Sequence, residues 1–163
     1  MDLPVNLPRD WNRPQEDAEV HRNGWFHTGD LGYLDEQNYR YVVDRKKDMI
    51  IYGGENIYPA EVEKALLQHP AVVEVAVLGR PDPLKGEEPI ALVRLAEGAQ
   101  TSERDLRDFA RRHLANFKVP RHFYFVDDFP RTDTGKIRKY ALREQLDRIL
   151  TKNPTASSAF PGV

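Results

Sequence analysis

The chain has 163 residues, 40% of them hydrophobic and 31% charged, with a formal net charge of -2 at pH 7. This balance predicts one soluble globular domain, or one domain with a fragment of another, and gives no general attraction to nucleic acid or to an anionic membrane. The sequence contains no cysteine, which excludes disulfides and thiolate chemistry. Its five histidines lack metal-ligand spacing, so we predict no metal site.

Neither a membrane span nor a secretory signal is predicted. No apolar run approaches the roughly 20 residues that cross a bilayer as a helix. The opening residues, Met1-Asp2-Leu3-Pro4, lack the basic and apolar regions of a signal peptide. We therefore expect a cytoplasmic protein.

The first part of the chain predicts an irregular arm followed by a small β structure. Residues 1–24 are rich in Pro, Asn, Arg and Asp and show weak periodicity, which is typical of an irregular segment. Residues 25–45 contain turn-forming stretches and then an aromatic and β-branched run at residues 39–43. That pattern predicts short antiparallel strands joined by a turn.

The rest of the chain alternates strands and helices. Apolar or aromatic runs predict strands, and a helix is expected to begin at Pro59, a residue favoured at the first helical position. Ser102 with Asp105 resembles a capping box, which predicts the start of a second helix. The strands are predicted at residues 49–52, 72–78, 90–95 and 122–126, and a final helix at residues 139–150.

This order predicts an α+β fold, with a small central sheet flanked by helices and preceded by a short antiparallel β hairpin. We assign residues 46–147 to the compact unit and residues 148–163 to a flexible tail. The hairpin is expected to be poorly covered, which would leave Trp25, Phe26 and Tyr41 partly exposed.

One turn presents a lysine just before the last helix. The stretch PRTDTGKI (residues 130–137) contains a Gly-Lys pair, which suggests phosphate binding. The P-loop pattern nevertheless fails, because it requires Gly at position 130 and Ser or Thr at position 137, where this sequence has Pro and Ile. Lys136 is therefore either a solvated turn lysine or a charge presented to a bound group.

Three stretches together carry a family resemblance: GWFHTGDLGYLDE (residues 24–36), VVDRKKDMIIYGGENIYPAEVE (residues 42–63) and FPRTDTGKIRKYALRE (residues 129–144). In this order and spacing they resemble the C-terminal part of the adenylate-forming acyl-CoA synthetases, in the fatty acyl- and aryl-CoA ligase branch of the AMP-binding enzyme superfamily. WNRP (residues 11–14) resembles the segment before them, so the resemblance covers residues 11 to 147. One such motif is weak evidence, whereas three in order are specific.

The resemblance implies an enzyme of fatty acid metabolism that makes an acyl-adenylate from a carboxylic acid and ATP with Mg, and then passes the acyl group to CoA. A small C-terminal domain swings between two poses, one for each half-reaction. Residues 25–45 would then belong to the end of the large N-terminal domain of the family. Residues 46–147 would form the C-terminal lid domain.

Four residues match positions that the family uses for adenylation. Lys136 matches the catalytic lysine, and Lys47 matches the hinge. Asp30 and Arg45 match two contacts to the nucleotide ribose, and an ionised carboxylate can accept both hydroxyls of a cis-diol. The alternatives are an ordinary Asx turn at Asp30 and a solvated charge run over residues 44–48.

A second group matches positions that contact CoA. The loop Gly53, Gly54, Glu55 and Asn56 matches the loop lining the family's pantetheine tunnel, where glycine lets the backbone approach a thin ligand closely. The alternative is a simple strand-to-helix connection with Asn56 as a helix cap. Arg121 resembles a basic position near the CoA nucleotide phosphate.

Three residues depart from the family pattern. Lys85 stands where many members carry Trp, whose ring could stack on the CoA adenine, and this puts the CoA nucleotide contact in doubt. Asn38 and Tyr52 replace the more common Gly and Ser. Asn38 tolerates a left-handed turn, whereas the sequence offers no role for Tyr52.

The Ser/Thr/Gly-rich phosphate loop and the adenine and acyl pockets of the family are absent from this sequence. We therefore expect the chain to supply the adenylation lysine and the CoA-tunnel loop but to be inactive alone, because one lysine cannot bind ATP and substrate. The alternative is a stand-alone binding module that docks in trans on a separate N-terminal domain or binds CoA or nucleotide. With the acyl pocket absent, the acyl substrate cannot be predicted.

Overall fold

The structure, a computed structural model, describes residues 14–23 and 25–152. The chain divides into two compact units, with the division between Lys47 and Asp48. The first unit contains a short helix and two antiparallel strand pairs, β1 with β2 and β3 with β4. Its elements are α1 (Pro14–Val20), β1 (His21–Arg22), β2 (Trp25–Phe26), β3 (Asp30–Leu34) and β4 (Arg40–Arg45).

The irregular arm predicted for residues 1–24 is wrong at Pro14–Val20, which form a helix. Pro14 occupies the first helical position, where the missing proline N–H costs no hydrogen bond. The prediction overlooked this signal because the surrounding sequence has little apolar periodicity. Residues 1–13, including most of WNRP, and residue 24 lie outside the described residues.

The β3–β4 hairpin is closed by a side-chain-assisted turn and presents aromatic rings to solvent. Asp35 Oδ1 accepts the backbone N–H of Gln37 and of Tyr39. Asn38 has φ of 64°, so it adopts the left-handed conformation that the sequence analysis said it tolerates. Trp25, Phe26 and Tyr41 are 67%, 40% and 45% exposed, which confirms that this unit is poorly covered.

The second unit is built on a five-stranded mixed sheet. The sheet has the order β6-β5-β8-β7, with β9 lying parallel to β8 on the same side as β5. The α+β class and the preceding hairpin are therefore as predicted. The elements are β5 (Ile50–Tyr52), β6 (Glu55–Ile57), α2 (Pro59–Leu66), β7 (Val72–Asp82), β8 (Gly86–Leu95), α3 (Glu103–His113), β9 (His122–Phe125), α4 (Lys139–Glu144) and α5 (Leu146–Lys152).

Helices cover both faces of this sheet, so the middle parts of β7 and β8 are buried on both sides. Val75 and Val77 pack in one cluster with residues of α2 and α3. The intervening residues Ala76 and Leu78 pack in a second cluster with residues of α4 and α5. Side chains alternate between the faces of a strand, so a strand buried on both sides requires an unbroken apolar run. This explains the run VAVL at residues 75–78, in which all four side chains are buried.

Two boundaries differ from the predictions. The flexible tail assigned from residue 148 is wrong up to residue 152, because α5 extends to Lys152 and Ile149 and Leu150 pack against the core. Residues 153–163 lie outside the described residues. The final helix predicted at residues 139–150 is divided at Gln145 into α4 and α5. Among the described residues, none of the helices has the length and hydrophobicity required to cross a membrane.

Candidate functional site

Asp30 and Arg45 are cross-strand neighbours at the end of the β3–β4 hairpin. They are paired in the strand register, and Arg45 Nε lies 3.9 Å from Asp30 Oδ1. Both side chains are solvent-accessible, and the Asp30 N–H donates to Thr28 Oγ1 at 3.1 Å. The structure therefore brings these two predicted nucleotide contacts together and leaves the Asp30 carboxylate open to a ligand. An exposed pair at this distance contributes little to stability.

Lys47 lies in a single 3-10 turn, Lys46–Asp48, and its side chain is exposed. On one side of it, the Lys46 N–H donates to the Gly29 carbonyl at 2.8 Å. On the other side, Asp48 is buried and accepts a hydrogen bond from Arg143 Nη2 of α4 at 2.8 Å. Each neighbour of Lys47 is thus fastened within its own unit.

The Gly53-Gly54 pair forms a hairpin turn between β5 and β6. Tyr52 pairs with Glu55, and the two glycines between them have φ of 59° and 88°. Two consecutive residues with positive φ are typical of the type I′ hairpin turn, which favours Gly-Gly. An added Cβ at either glycine would meet no atom within 4 Å, so the backbone here faces open space.

The interpretation of this segment as a strand-to-helix connection capped by Asn56 is wrong. Glu55, Asn56 and Ile57 form strand β6, and the residue before α2 is Tyr58, whose side chain makes no capping hydrogen bond. The Gly53-Gly54 turn reverses the chain into strand β6, and α2 begins only after that strand. Glu55 and Asn56 remain exposed beside the turn.

Two cationic side chains, those of Lys85 and Arg121, contact Tyr52 beside the glycine turn. Lys85 Nζ donates to the Tyr52 hydroxyl at 2.9 Å, and Arg121 Nη2 donates to it at 2.5 Å. Both cations also lie over the Tyr52 ring, 4.9 Å and 5.0 Å from its centroid. The Gly53 N–H donates to the Lys85 carbonyl at 2.8 Å, which joins this cluster to the glycine turn. The predicted CoA-contact residues therefore form one surface.

Lys136 lies in a tight loop that leaves its side chain exposed. The loop is closed by a bridge between Arg131 and Ile137 and by the Thr132 N–H, which donates to the Lys136 carbonyl at 2.8 Å. Gly135 has φ of 82°, a left-handed conformation that suits glycine at this position. Within residues 48–150, no carboxylate lies within 4.0 Å of the Lys136 ammonium.

Arg131 anchors this loop to the sheet. Its guanidinium donates to both carboxylate oxygens of Glu74 on β7, at 2.8 Å and 2.7 Å, and to Asp128 at 3.3 Å. Glu74 also accepts from Arg94 Nε of β8 at 2.6 Å. The hydrogen bonds from Arg131, together with Arg94, lower the pKa of Glu74 from 4.5 to about 2. Glu74 is therefore ionised and bidentate with Arg131 at neutral pH.

The lysine loop and the glycine turn lie at opposite ends of the sheet. Glu74, which holds the loop, pairs with Arg94 near one end of β8, and Tyr52 pairs with Gly86 at the other. These β8 positions are about eight residues apart, or roughly 25 Å at about 3.4 Å per residue. The second unit thus carries two separate candidate surfaces.

Sequence reasoning missed Tyr52, Glu74 and Arg131. Glu74 and Arg131 are 57 residues apart in the chain, and Tyr52 and Arg121 are 69 apart. No local pattern indicates such pairings. For Tyr52 the sequence did carry one signal, since Tyr52 and Lys85 both depart from the family pattern. In the structure these two replacements contact each other.

Residues 61–136 match the family model of the AMP-binding enzyme C-terminal domain. The chain is 50% identical to a 2-succinylbenzoate–CoA ligase of Geobacillus kaustophilus over 142 residues, which cover 87% of this chain and 28% of the relative. It is 49% identical to a long-chain-fatty-acid–CoA ligase of Bacillus subtilis over 135 residues, or 83% of this chain and 24% of the relative.

Solved structures of the same family are also similar to this chain. The o-succinylbenzoate CoA synthetase from Bacillus subtilis, in complex with its acyl-adenylate intermediate, matches with a TM-score of 0.73 and 45% identity over 83% of this chain and 27% of that chain. Fold, motifs and relatives together show that the chain belongs to the AMP-binding enzymes and corresponds to the C-terminal part of their acyl- and aryl-CoA ligases. It spans about 28% of the length of the first of these relatives.

Proposed function

We propose that this chain is the C-terminal lid of an ATP-dependent acyl-CoA synthetase, which presents Lys136 for adenylate formation and the Gly53–Gly54 turn for thioester formation. The observation that carries the proposal is the state of Lys136. It is exposed on an anchored loop, with no acidic partner within 4.0 Å among the described residues. A lysine in that state can approach a phosphate group supplied by another part of the protein.

The first half-reaction needs such a charge. A carboxylate oxygen attacks the α-phosphorus of ATP, the bond to the β-phosphate oxygen breaks, and pyrophosphate leaves with the electron pair. Two anions approach each other and charge builds on phosphate oxygens, which a compact ammonium on a flexible stem can neutralise. Any Mg accompanying ATP would be held with it outside this chain.

Asp30 would fix the nucleotide during this step. Its carboxylate is acceptor-only and can receive both ribose hydroxyls. Arg45, 3.9 Å away, would hold the carboxylate in place and offer further N–H donors. These roles come from the match to the family motifs, and the cross-strand pairing of the two residues supports them.

The second half-reaction would use the opposite end of the sheet. The open Gly53-Gly54 backbone lets a pantetheine arm approach closely. Arg121 donates a hydrogen bond to Tyr52, the residue that precedes this turn. CoA sulfur attacks the acyl carbonyl of the adenylate, and AMP leaves. Lys47 would absorb the rotation between the two poses, because its neighbours on both sides are fastened.

Catalysis then requires a complementary large domain. The test joins this chain to the large domain of the Bacillus subtilis o-succinylbenzoate CoA synthetase in place of that enzyme's own C-terminal part. We expect no acyl-adenylate from either part alone and restored pyrophosphate release from the fusion with o-succinylbenzoate and ATP. Ligase activity of this chain by itself would contradict the proposal.

Mixing the two parts without a covalent link tests the alternative, in which this chain docks in trans on a separate large domain. Exposed Trp25, Phe26 and Tyr41 in the first unit are the observation in its favour, since exposed aromatic patches mark interaction surfaces. Saturable activation of the large domain by added chain would favour it. Activity from the fusion alone would favour the single-polypeptide lid.

A further inference from the structure

The ion pair between Glu74 and Arg131 joins the base of the Lys136 loop to strand β7. We propose that Glu74 and Arg131 are positioning residues for adenylate formation, which set the direction of the Lys136 ammonium and affect the reaction only through it. The inference rests on the proposed function for the reaction that Lys136 serves. It goes further by giving a role in that reaction to two residues, neither of which needs to touch ATP or the carboxylic acid.

The first argument is the direction in which the loop presents Lys136. Arg131 and Ile137 form an antiparallel bridge, flanked by two backbone hydrogen bonds of 2.8 Å. Directly paired residues lie on one face of such a strand pair, and their sequence neighbours point to the other face. Arg131 contacts Glu74 of the sheet, and Ile137 packs against the core. Lys136, the neighbour of Ile137, therefore points away from the sheet, in agreement with its exposed side chain.

The second argument is the geometry of the ion pair. Arg131 Nη1 donates to Glu74 Oε1 at 2.8 Å, and Arg131 Nη2 donates to Glu74 Oε2 at 2.7 Å. Two parallel hydrogen bonds fix the orientation of the guanidinium as well as its distance. Arg94 Nε of β8 donates to the same carboxylate at 2.6 Å, so Glu74 is held to the sheet independently of the loop.

The third argument is a direct connection from the pair to the backbone of Lys136. Arg131 Nη1 also donates to the Gly135 carbonyl oxygen at 3.3 Å. That carbonyl belongs to the peptide bond that joins Gly135 to Lys136. Rotation of this peptide would swing the lysine side chain, because the peptide is rigid and planar. One guanidinium thus connects the Glu74 carboxylate with the peptide that sets the direction of Lys136.

The fourth argument is the charge that Lys136 retains. Arg131 also donates to Asp128 at 3.3 Å, so one guanidinium compensates two carboxylates at the base of the loop. Within residues 48–150, the Lys136 ammonium has no carboxylate within 4.0 Å. Its charge is therefore available to an anionic transition state. Because a misplacement of about 1 Å can cost a catalytic group about 10²-fold in rate, an anchor for this ammonium has a large effect to exert.

The experiment measures both half-reactions in the fusion with the Bacillus subtilis large domain. We expect Glu74→Gln and Arg131→Gln each to lower kcat for pyrophosphate release at least about tenfold. The KM for ATP should change little, because Lys136 acts on charge that develops in the transition state. Thioester formation from supplied acyl-adenylate should be largely preserved. Arg131→Lys keeps the charge but loses the bidentate contact, so it should recover only part of the rate.

Glu88→Gln is the matched control. Glu88 and Arg80 form an ion pair between the same two strands, at register positions away from the loop. Loss of that pair should leave pyrophosphate release near the parent rate. Thermal unfolding of every variant is measured alongside, so that a loss of rate is compared only among proteins folded at the assay temperature.

A double-mutant comparison separates positioning from a general structural role. In a Lys136→Ala fusion, added Glu74→Gln should cause no further loss of pyrophosphate release, because a positioning residue has no effect once the group that it positions is gone. Losses that multiply, or equal losses in both half-reactions, would overturn the positioning role.

The same assay distinguishes the two proposals. An inactive fusion of the parent sequence would refute the lid proposal and the positioning role with it. An active fusion whose rate is the same with Glu74→Gln would refute the positioning role alone.

Discussion

Arg131 and Glu74 form a bidentate ion pair that fastens the Lys136 loop to strand β7. Glu74 also accepts a hydrogen bond from Arg94 of β8, so one carboxylate ties the loop to two strands. The loop has few other long-range polar contacts among the described residues, since most of its hydrogen bonds are internal. The pair is therefore the main polar attachment of the loop to the sheet.

The pair makes stability dependent on acid pH. The pKa of Glu74 is lowered in the folded chain from 4.5 to about 2, so its contribution to stability is present above pH 4.5 and is lost as the pH falls toward 2. Glu74→Gln should flatten the dependence of unfolding free energy on pH in that range and should increase amide exchange at residues 132–136. An unchanged pH profile together with unchanged exchange would show that the pair does not hold the loop.

Lys136→Ala should separate the two half-reactions in the fusion described above. We expect pyrophosphate release to fall about 10²–10³-fold, as for the loss of one preorganised charge at a transition state. Thioester formation from supplied acyl-adenylate should be largely preserved, because in the proposed function that step uses the Gly53–Gly54 turn instead of the lysine loop. Lys64→Ala is the control for general effects of lost charge. Equal losses in both steps would mean that Lys136 supports the fold or acts in both reactions.

Gly54→Ala should destabilise the chain by about 1 kcal/mol, since alanine is strained at φ of 88°. No atom lies within 4 Å of the added Cβ, so any cost is conformational rather than steric. Gly54→Asn should recover much of the loss, because Asn tolerates left-handed backbone. Urea unfolding measures both. Equal stabilities for the alanine and asparagine variants would argue against the type I′ turn.

Breaking the Asp48–Arg143 hydrogen bond should cost about 1–3 kcal/mol of unfolding free energy, since Asp48 is buried. A double-mutant cycle with Asp48→Asn and Arg143→Gln measures the coupling directly. We expect a favourable coupling energy. Additive effects of the two substitutions would mean that α4 does not hold the backbone that follows Lys47.

Leu78→Ala should cost about 2–5 kcal/mol, because Leu78 is fully buried between the sheet and α4 and α5. Leu84 provides the matched control, since it is 91% exposed on the β7–β8 turn. Leu84→Ala should change the unfolding free energy by less than about 0.5 kcal/mol. Similar effects at the two sites would contradict the burial of Leu78 between the sheet and the helices α4 and α5.

Strands β7 and β8 were predictable because burial on both faces leaves a continuous apolar run, as at residues 75–78 and 90–93. Strand β6 was not, because Glu55, Asn56 and Ile57 include two polar residues and form a three-residue edge strand. Its presence follows from the Gly53-Gly54 turn, which directs the chain back along β5. The helix at Pro14–Val20 was missed for a similar reason, since short polar helices have no apolar stripe.

The candidate site likewise has residues that the sequence could predict and residues that it could not. Lys136, Asp30 and Gly53 could be named from motifs, because each motif is local in sequence. The cluster of Tyr52, Lys85 and Arg121 could not, because it depends on β5, β8 and β9 meeting in one sheet. Local propensity does not encode such long-range pairing, and only folded geometry brings the three side chains together.

The β8 positions beside the lysine loop and the glycine turn are roughly 25 Å apart along the strand, and this spacing limits what the second unit can present at one time. A stiff sheet of that length cannot offer both ends to one reaction centre at one time. If the lid serves both half-reactions, the amine must withdraw before the thiol can enter. The order of events is then enforced by the dimensions of the protein, without any signal from the substrate.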